Sequence, residues 1–434
     1  MRILATAFAV NPYKESEEGT GWNLIKQIAK HNYVIAITRK KNQRAIENYM
    51  QEHPNPIYDN MEFAYFDLPF WERFWKQGWR ENMLHFYLWR LFVPLFILSK
   101  RFKFDVTHAL NFCNDWTPSF LWALGKPFVW GPIGHHPKIP AKYVLCFFGK
   151  YACIKNQISW FLKICFWKFD PFLKITKLKA DSIIAINNSV QKQLELNPNK
   201  VTIMPAVAFK SHPISDIKKD AQFTILTIGE LEPIKGTDIA LKSYAQFYHA
   251  LKDEQKSQVV LKIIGNGKYN DVLKQLTATL KIEHAVEFVE WKPKVTLDDC
   301  YQTADVFLFP SYEDPGMVVP EALSYGVPII CFENYGSGEL ADCNYTININ
   351  YSNYNDNIVD FAEALNDLYT KPQMLQQLSV NARNYYLNNL SWEVKAEQFN
   401  SIYTKIINRG KGNHIVYTPA KRLQWQSFSA PSNY

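Results

Sequence analysis

Apolar residues in this chain gather into short runs separated by longer amphipathic stretches. "RILATAF", "YVIAIT", "MEFAYF", "FDVTHAL", "PFVWG", "SIIAI" and "VTIMP" punctuate residues 1–205. "FTILTIG", "VVLKIIG", "AVEFVEW", "ADVFLFP", "VPIICF" and "YTININ" punctuate residues 222–350. Such runs, apolar on both faces and alternating with helix-length segments, predict buried parallel strands joined by crossover helices. The fold class is therefore α/β, with doubly wound parallel sheets. Between the two series lies Pro205–Gln222, which has neither period and carries two prolines, as a linker would. After Asp356 the pattern is helical to about Asn408, and the tail from Gly410 is expected to have little fixed structure. The expected organisation is a first domain over 1–208, a second over 209–390, a closing helix over 391–409 and a tail over 410–434.

A length of 434 residues fits two cores better than one. Seven scattered cysteines show no C-x-x-C pair and no metal-type spacing, which suits small core residues in a reducing compartment. "MRILATAFAVNPYKESEEG" breaks at Asn11-Pro12 without a small-residue cleavage site, so it is expected to form a first buried strand rather than a signal peptide. The longest clean apolar run, Leu91–Leu98, falls well short of a membrane span. A cytoplasmic protein, soluble or peripheral on the inner face of the plasma membrane, is the expectation.

The net charge of +7 conceals an asymmetry: residues 1–200 hold 27 Lys+Arg against 15 Asp+Glu, leaving 21 against 26 for the remainder. Lys126 to Lys179 contains ten lysines and one acid, Asp170, interleaved with aromatics in "WFLKICFWKFDPFLK". This composition points to anionic lipid headgroups. The alternative is a helical layer with solvated lysines and aromatics in the core. No nucleic-acid motif accompanies the lysines.

Ligands of open parallel sheets bind outside the carboxyl ends of the strands. "FPSYEDPGMVVPEALSYGVPII" (309–330) places Glu313 just after the strand "ADVFLFP". Pro315-Gly316 turns the chain, and a helix beginning near Met317 would point its first amides at the same place as an anion site. Glu321 lies one turn further, where a side chain leaning toward the helix start returns to the site. An anion cradle with two hydroxyl-binding acids describes a nucleotide diphosphate sugar. An ordinary strand–loop–helix with solvated acids is the alternative.

The spaced glutamates followed by "ALSYGVPII" resemble the signature of family-4 (group 1) retaining glycosyltransferases, whose architecture, GT-B, has two Rossmann-like domains facing a cleft. Further stretches resemble that family in its order. They are "SEEGTGWNLIKQIAK", "LTIGELEPIKGTDIALKSY", "LKIIGNGKYNDVLKQL" and the closing helix "LSWEVKAEQFNSIYTKII". Together they cover roughly residues 1–408. The resemblance implies a catalytic role for Glu313 beside the donor sugar and places Glu321 on the ribose. It implies that Gly316, Met317 and Val318 hold the phosphates by their amides, that Lys235 neutralises the diphosphate, and that Gly19 and Gly21 let the first-domain backbone approach it. His108 would face the reacting centre. His135, His136, Asn111 and Asn114 are further candidates on the acceptor side. One departure stands out: the family's glycine–arginine pair is here Gly229-Glu230.

The implied reaction moves a sugar from a nucleotide diphosphate donor to an acceptor hydroxyl with retention, in cell-envelope or exopolysaccharide synthesis. The acceptor would be a glycan or a lipid-linked one. No cofactor or metal is expected. A nucleotide-sugar epimerase, a sugar phosphorylase, and a non-enzymatic scaffold at the membrane (motivated by Glu230) are the alternatives.

Overall fold

The computed structural model describes residues 1–14, 17–68, 79–111, 114–135, 138, 141–206, 208, 222–291, 294–312, 317–333 and 344–410. All thirteen apolar runs form strands. The first sheet contains β1 (Arg2–Ala7), β2 (Tyr33–Thr38), β3 (Met61–Tyr65), β4 (Val106–Asn111), β5 (Phe128–Ile133), β6 (Ser182–Ala185) and β7 (Val201–Ile203). Their order is β3-β2-β1-β4-β5-β6-β7. The second contains β8 (Phe223–Ile228), β9 (Val259–Ile264), β10 (Val286–Val289), β11 (Val306–Phe309), β12 (Ile329–Phe332) and β13 (Thr346–Ile349). It runs β10-β9-β8-β11-β12-β13. Every pairing between these strands is parallel. The winding reverses between β1 and β4 in one sheet and between β8 and β11 in the other. Those two reversals open a crevice at the carboxyl edge of each sheet.

Helices cover both faces. α1 (Glu17–Ala29), α2 (Gln43–Glu52), α3 (Trp79–Lys100), α4 (Ala141–Phe169), α5 (Pro171–Lys179) and α6 (Asn188–Gln193) serve the first sheet. α7 (Thr237–Ala250), α8 (Asp253–Lys256), α9 (Asn270–Leu280), α10 (Lys294–Thr303), α11 (Val318–Ser324), α12 (Tyr354–Thr370) and α13 (Pro372–Tyr385) belong with the second. α14 (Trp392–Gly410) returns to the first domain, where Trp392, Phe399, Ile402, Tyr403 and Ile406 join the core built on Ile3, Leu24 and Val34.

Polar contacts fix α14 in register. Lys30 pairs with Glu393 at 3.6 Å and His31 with Glu397 at 3.0 Å. Near the linker, the buried Lys395 ammonium donates to the carbonyl of Pro205. In the centre, the Tyr403 hydroxyl meets His108 Nδ1 at 2.6 Å, and His108 Nε2 meets the Gly131 carbonyl at 2.7 Å. A carbonyl can only accept, so Nε2 carries the proton and Nδ1 accepts from the tyrosine. His108 thus lies within β4, fully buried, with both nitrogens occupied. Rather than presenting a free nitrogen to a ligand, it joins the closing helix to the sheet.

α3 also departs from expectation. Met83–Lys100 is long and apolar enough to cross a membrane by length and composition, and 33% of that window is buried. The clean run Leu91–Leu98 understated it because aromatic residues extend the apolar character toward Met83. One side of the helix packs on the sheet through Phe86, Trp89, Val93 and Ile97, each 1% exposed. Its other side leaves Leu84, Phe92, Leu95 and Leu98 exposed.

Burial lowers the His108 pKa to about 3. An unfolded chain takes up a proton at this ring near pH ~6.5, which the native state refuses, so stability is full above that pH and declines as pH falls toward the folded value. Urea unfolding should therefore show a loss between pH 7.5 and 5 that is shallower in His108→Asn, which has no titratable ring. Tyr403→Phe removes the donor to a buried nitrogen and should cost about 1–3 kcal/mol at pH 7.5. A Tyr403→Phe protein as stable as the parent would contradict this assignment.

Candidate active site

In the second domain, the loops leaving β8 and β11 are clamped together at the reversal of the sheet. Tyr312 N–H donates to the Ile234 carbonyl at 3.0 Å, and the Thr227 hydroxyl donates to the Leu308 carbonyl at 2.9 Å. Gly236 completes the clamp. Its φ is +67°, and a Cβ there would lie 2.0 Å from the Pro310 carbonyl oxygen. Only glycine satisfies both demands. The clamp brings Lys235, in the 3-10 turn Pro233–Lys235, beside the exit of β11. The lysine stem passes over Gly229, whose missing Cβ would sit 3.8 Å from Lys235 Cγ. Glu230, by contrast, is exposed to solvent.

α11 starts at Val318 with Met317 at its N-cap, close to the expected start. Glu321 lies in the first turn and is 7% exposed. Its carboxylate accepts from the Tyr301 hydroxyl at 3.2 Å. Tyr301, on α10, is fully buried and stacks on Tyr325 at 5.5 Å between ring centroids. Burial, with the Glu321 charge beside it, raises the Tyr301 pKa well above its ordinary value, so this phenol stays a proton donor to the carboxylate. Sequence inspection did not single out Tyr301, because its spacing marks it only as another apolar-face residue of α10.

In the first domain, the exits of β4 and β5 are joined by a parallel bridge between Asn114 and Gly134. The bridge sets Asp115 beside His135, with Asp115 Oδ2 2.7 Å from His135 Nδ1. Both side chains are buried, 5% and 7% exposed. Asn187 holds the next atoms by donating to the His135 carbonyl at 3.0 Å, and the ring packs against Trp160 and Trp167. A carboxylate on one nitrogen fixes the orientation of the imidazole. Asp115 was not recognised in the sequence. The available signal was an acid directly after a buried strand.

Other expected residues act on the fold itself. Asn111 donates to the Ala9 carbonyl at 2.7 Å and so ties the exits of β4 and β1. A Cβ on Gly21 would lie 2.2 Å from that same carbonyl, and one on Gly19 would lie 1.8 Å from the Lys14 carbonyl. These glycines admit the chain's own backbone. Asn114 accepts from Thr117 N–H at 3.0 Å. Glu313, Gly316 and His136 lie outside the described residues.

Gly236→Ala should disturb the clamp through both its left-handed backbone and the Pro310 contact. Strain at such a residue is worth about 1–3 kcal/mol, read as lower stability in denaturant. Unchanged stability would show that the two loops are not held as described.

Comparison with known proteins places these features in context. Residues 210–385 match the family model described as glycosyl transferases group 1. An uncharacterized glycosyltransferase of Haemophilus influenzae is 28% identical over 208 residues, 48% of this chain and 51% of that protein. The D-inositol 3-phosphate glycosyltransferase of Corynebacterium diphtheriae is 27% identical over 180 residues, 41% of each chain. This chain thus spans about half the length of these curated relatives. Among solved structures, Anabaena Alr3699/HepE in complex with UDP superposes with a TM-score of 0.61 at 15% identity, covering 93% of this chain and all of that one. WaaG, a glycosyltransferase involved in lipopolysaccharide biosynthesis, gives 0.55 at 15% identity over 95% of this chain and all of that one. The fold is therefore GT-B, and residues 210–385 within its second half are similar to group 1 glycosyl transferases.

Proposed function

We propose that this chain is a retaining glycosyltransferase of family 4 that moves a sugar from a nucleotide diphosphate donor to an acceptor hydroxyl, in the synthesis of an envelope or extracellular glycan. The clamp at the second sheet's reversal carries this reading. It ties the loop carrying Lys235 to the exit of β11, the strand that precedes α11 with its Tyr301-bound Glu321. The HepE structures hold UDP and UDP-glucose, which makes uridine nucleotides the first donors to test.

Glu321 accepts hydroxyls of the ribose, while Lys235 and the amides of Met317 and Val318 meet the diphosphate. Cleavage of the glycosidic bond leaves a sugar of cationic character and a nucleoside diphosphate that has gained one negative charge. Fixed positive charge beside that group lowers the barrier. Glu313 approaches the donor sugar. A phosphate oxygen of the leaving group takes the acceptor proton as the new bond forms on the same face, which gives retention. His135, oriented by Asp115, holds the acceptor hydroxyl for this step and assumes the place first assigned to His108. Lys235 supplies the charge, so no metal enters the proposal.

An exposed apolar stripe supports the proposed location. Tyr151, Ile154, Ile158, Phe161 and Phe169 recur at helical spacing along α4 and are 50% to 82% exposed. Apolar exposure of this extent marks an interaction surface. The lysines of the same segment suit anionic headgroups, so we place the protein on the inner face of the plasma membrane.

With EDTA present throughout, calorimetry against UDP-, GDP- and ADP-sugars should identify one donor. Its affinity should fall about tenfold or more in Glu321→Ala, through loss of a charged hydrogen bond. Tyr301→Phe should cost about two- to tenfold. Glu230→Arg should strengthen binding by adding a bidentate phosphate partner. His135→Ala should lower turnover with donor affinity kept. Donor binding indifferent to Glu321 would reject the ribose assignment, and restoration of EDTA-inhibited transfer by Mg²⁺ would reject the metal-free step.

Cosedimentation with vesicles should be greater on anionic than on neutral lipid and should weaken as salt rises. Equal binding to both lipids would remove the electrostatic part of this proposal.

A further inference from the structure

A cavity of about 330 Å³ lies between α3 and α4 in the first domain. Its walls include Leu84, Tyr87, Trp116, Leu162, Lys163 and Phe166, and the lining is predominantly apolar. This volume is in the range of small-molecule sites. Leu84 and Leu162 are 49% and 50% exposed, so the groove opens at the surface. There it continues into the uncovered stripe of Ile154, Ile158 and Phe161 on α4.

The inner end approaches the Asp115–His135 pair. Trp116 follows Asp115 directly in the chain and packs on Phe166 at 5.2 Å between ring centroids. Trp160 and Trp167, one turn either side of Lys163, touch the His135 ring. The Lys163 ammonium lies 5.3 Å from the Trp160 centroid, and the Asp115 carboxylate acts on it electrostatically. The groove thus runs from the exposed apolar face to Lys163 and Trp116, whose neighbours in the chain, Trp160, Trp167 and Asp115, contact the imidazole proposed to hold the acceptor.

Charge narrows the choice of occupant. The segment from Lys126 to Lys179 holds one acid. That acid, Asp170, is buried as the cap of α5, its charge taken up by Phe172 and Leu173 N–H and by the hydroxyl of Tyr87 in the groove wall. Lysines of this segment thus outnumber the two carboxylates near the groove, Asp115 and Asp170, beside an apolar lining, which suits an anionic amphiphile.

We infer that the groove between α3 and α4 receives the hydrocarbon chain of a lipid-linked acceptor, with its phosphate-bearing headgroup at Lys163 and its sugar at His135. The assignment of this ligand as the acceptor rests on the transferase reading above; binding in the groove is tested separately from it.

Farnesyl phosphate, farnesol and inorganic phosphate serve as probes on the full chain, read by tryptophan fluorescence, with UDP binding measured in parallel by calorimetry. Farnesyl phosphate should bind at least about tenfold more tightly than either fragment, because chain and charge contribute together. Leu84→Gln with Leu162→Gln, both half-exposed, should weaken it about tenfold and leave UDP affinity unchanged. Lys163→Gln should bring farnesyl phosphate close to farnesol. Equal farnesyl phosphate binding by the parent and the double variant would overturn the inference. So would a dimer of the parent that the double variant abolishes, since a second copy would then cover the groove. Normal UDP binding alongside failed chain binding would sink the groove and spare the transferase reading. The reverse result would retain the groove and sink that reading.

Discussion

Parallel strands cannot be joined by tight turns, and this constraint orders the molecule. Each connection crosses a face of the sheet, so all loops leaving carboxyl ends gather on one edge. Where the winding reverses, neighbouring loops diverge and leave a crevice. In the second sheet that place lies between β8 and β11. Residues separated by about eighty positions, Thr227 with Leu308 and Ile234 with Tyr312, are hydrogen-bonded there. Lys235 and Glu321 lie on the segments that follow the two strands flanking this reversal. The same geometry in the first sheet brings Asp115 to His135 across the exits of β4 and β5.

A second constraint comes from α14. The final helix of the described chain packs on the domain that begins it, so the two halves are tied at both the linker and the helix. Its attachment is unusual in being polar at the centre. Tyr403, His108 and Gly131 form a buried relay, and Lys395 caps the linker carbonyl of Pro205. Buried polar groups are costly unless paired. This arrangement favours one register of α14 on the sheet. Burial lowers the Lys395 pKa to about 7, far below that of a free lysine, so the cost of this tie eases as pH rises.

The strands were legible because burial on both faces leaves nearly uninterrupted Val, Ile, Leu and Phe, a pattern that needs no knowledge of partners. The placement of Lys235 after β8 and of Glu321 in α11 was legible because each belongs to a local strand–loop–helix unit. What escaped depended on pairing between distant segments. His108 could be read from sequence as a residue near a strand end; only the packing of a helix almost three hundred positions away supplies its second partner. Asp115 acquires its meaning from the Asn114–Gly134 bridge, and Tyr301 from its approach to α11. Glycine was ambiguous for a related reason. Gly19 and Gly21 look the same in sequence whether the backbone they admit belongs to a ligand or, as here, to the chain. The groove at Lys163 was visible only as a basic, aromatic composition, since its two walls come from helices forty residues or more apart.

Amide hydrogen exchange with and without the donor nucleotide tests the central claim most directly, because it reports where along the backbone the ligand acts. The account predicts added protection concentrated in the loop after β8, around residues 229–236, and at the start of α11, around 317–321, with little change at the outer edge strands β10 and β13. Protection centred on the first domain, with the β8 and α11 segments unchanged, would contradict it.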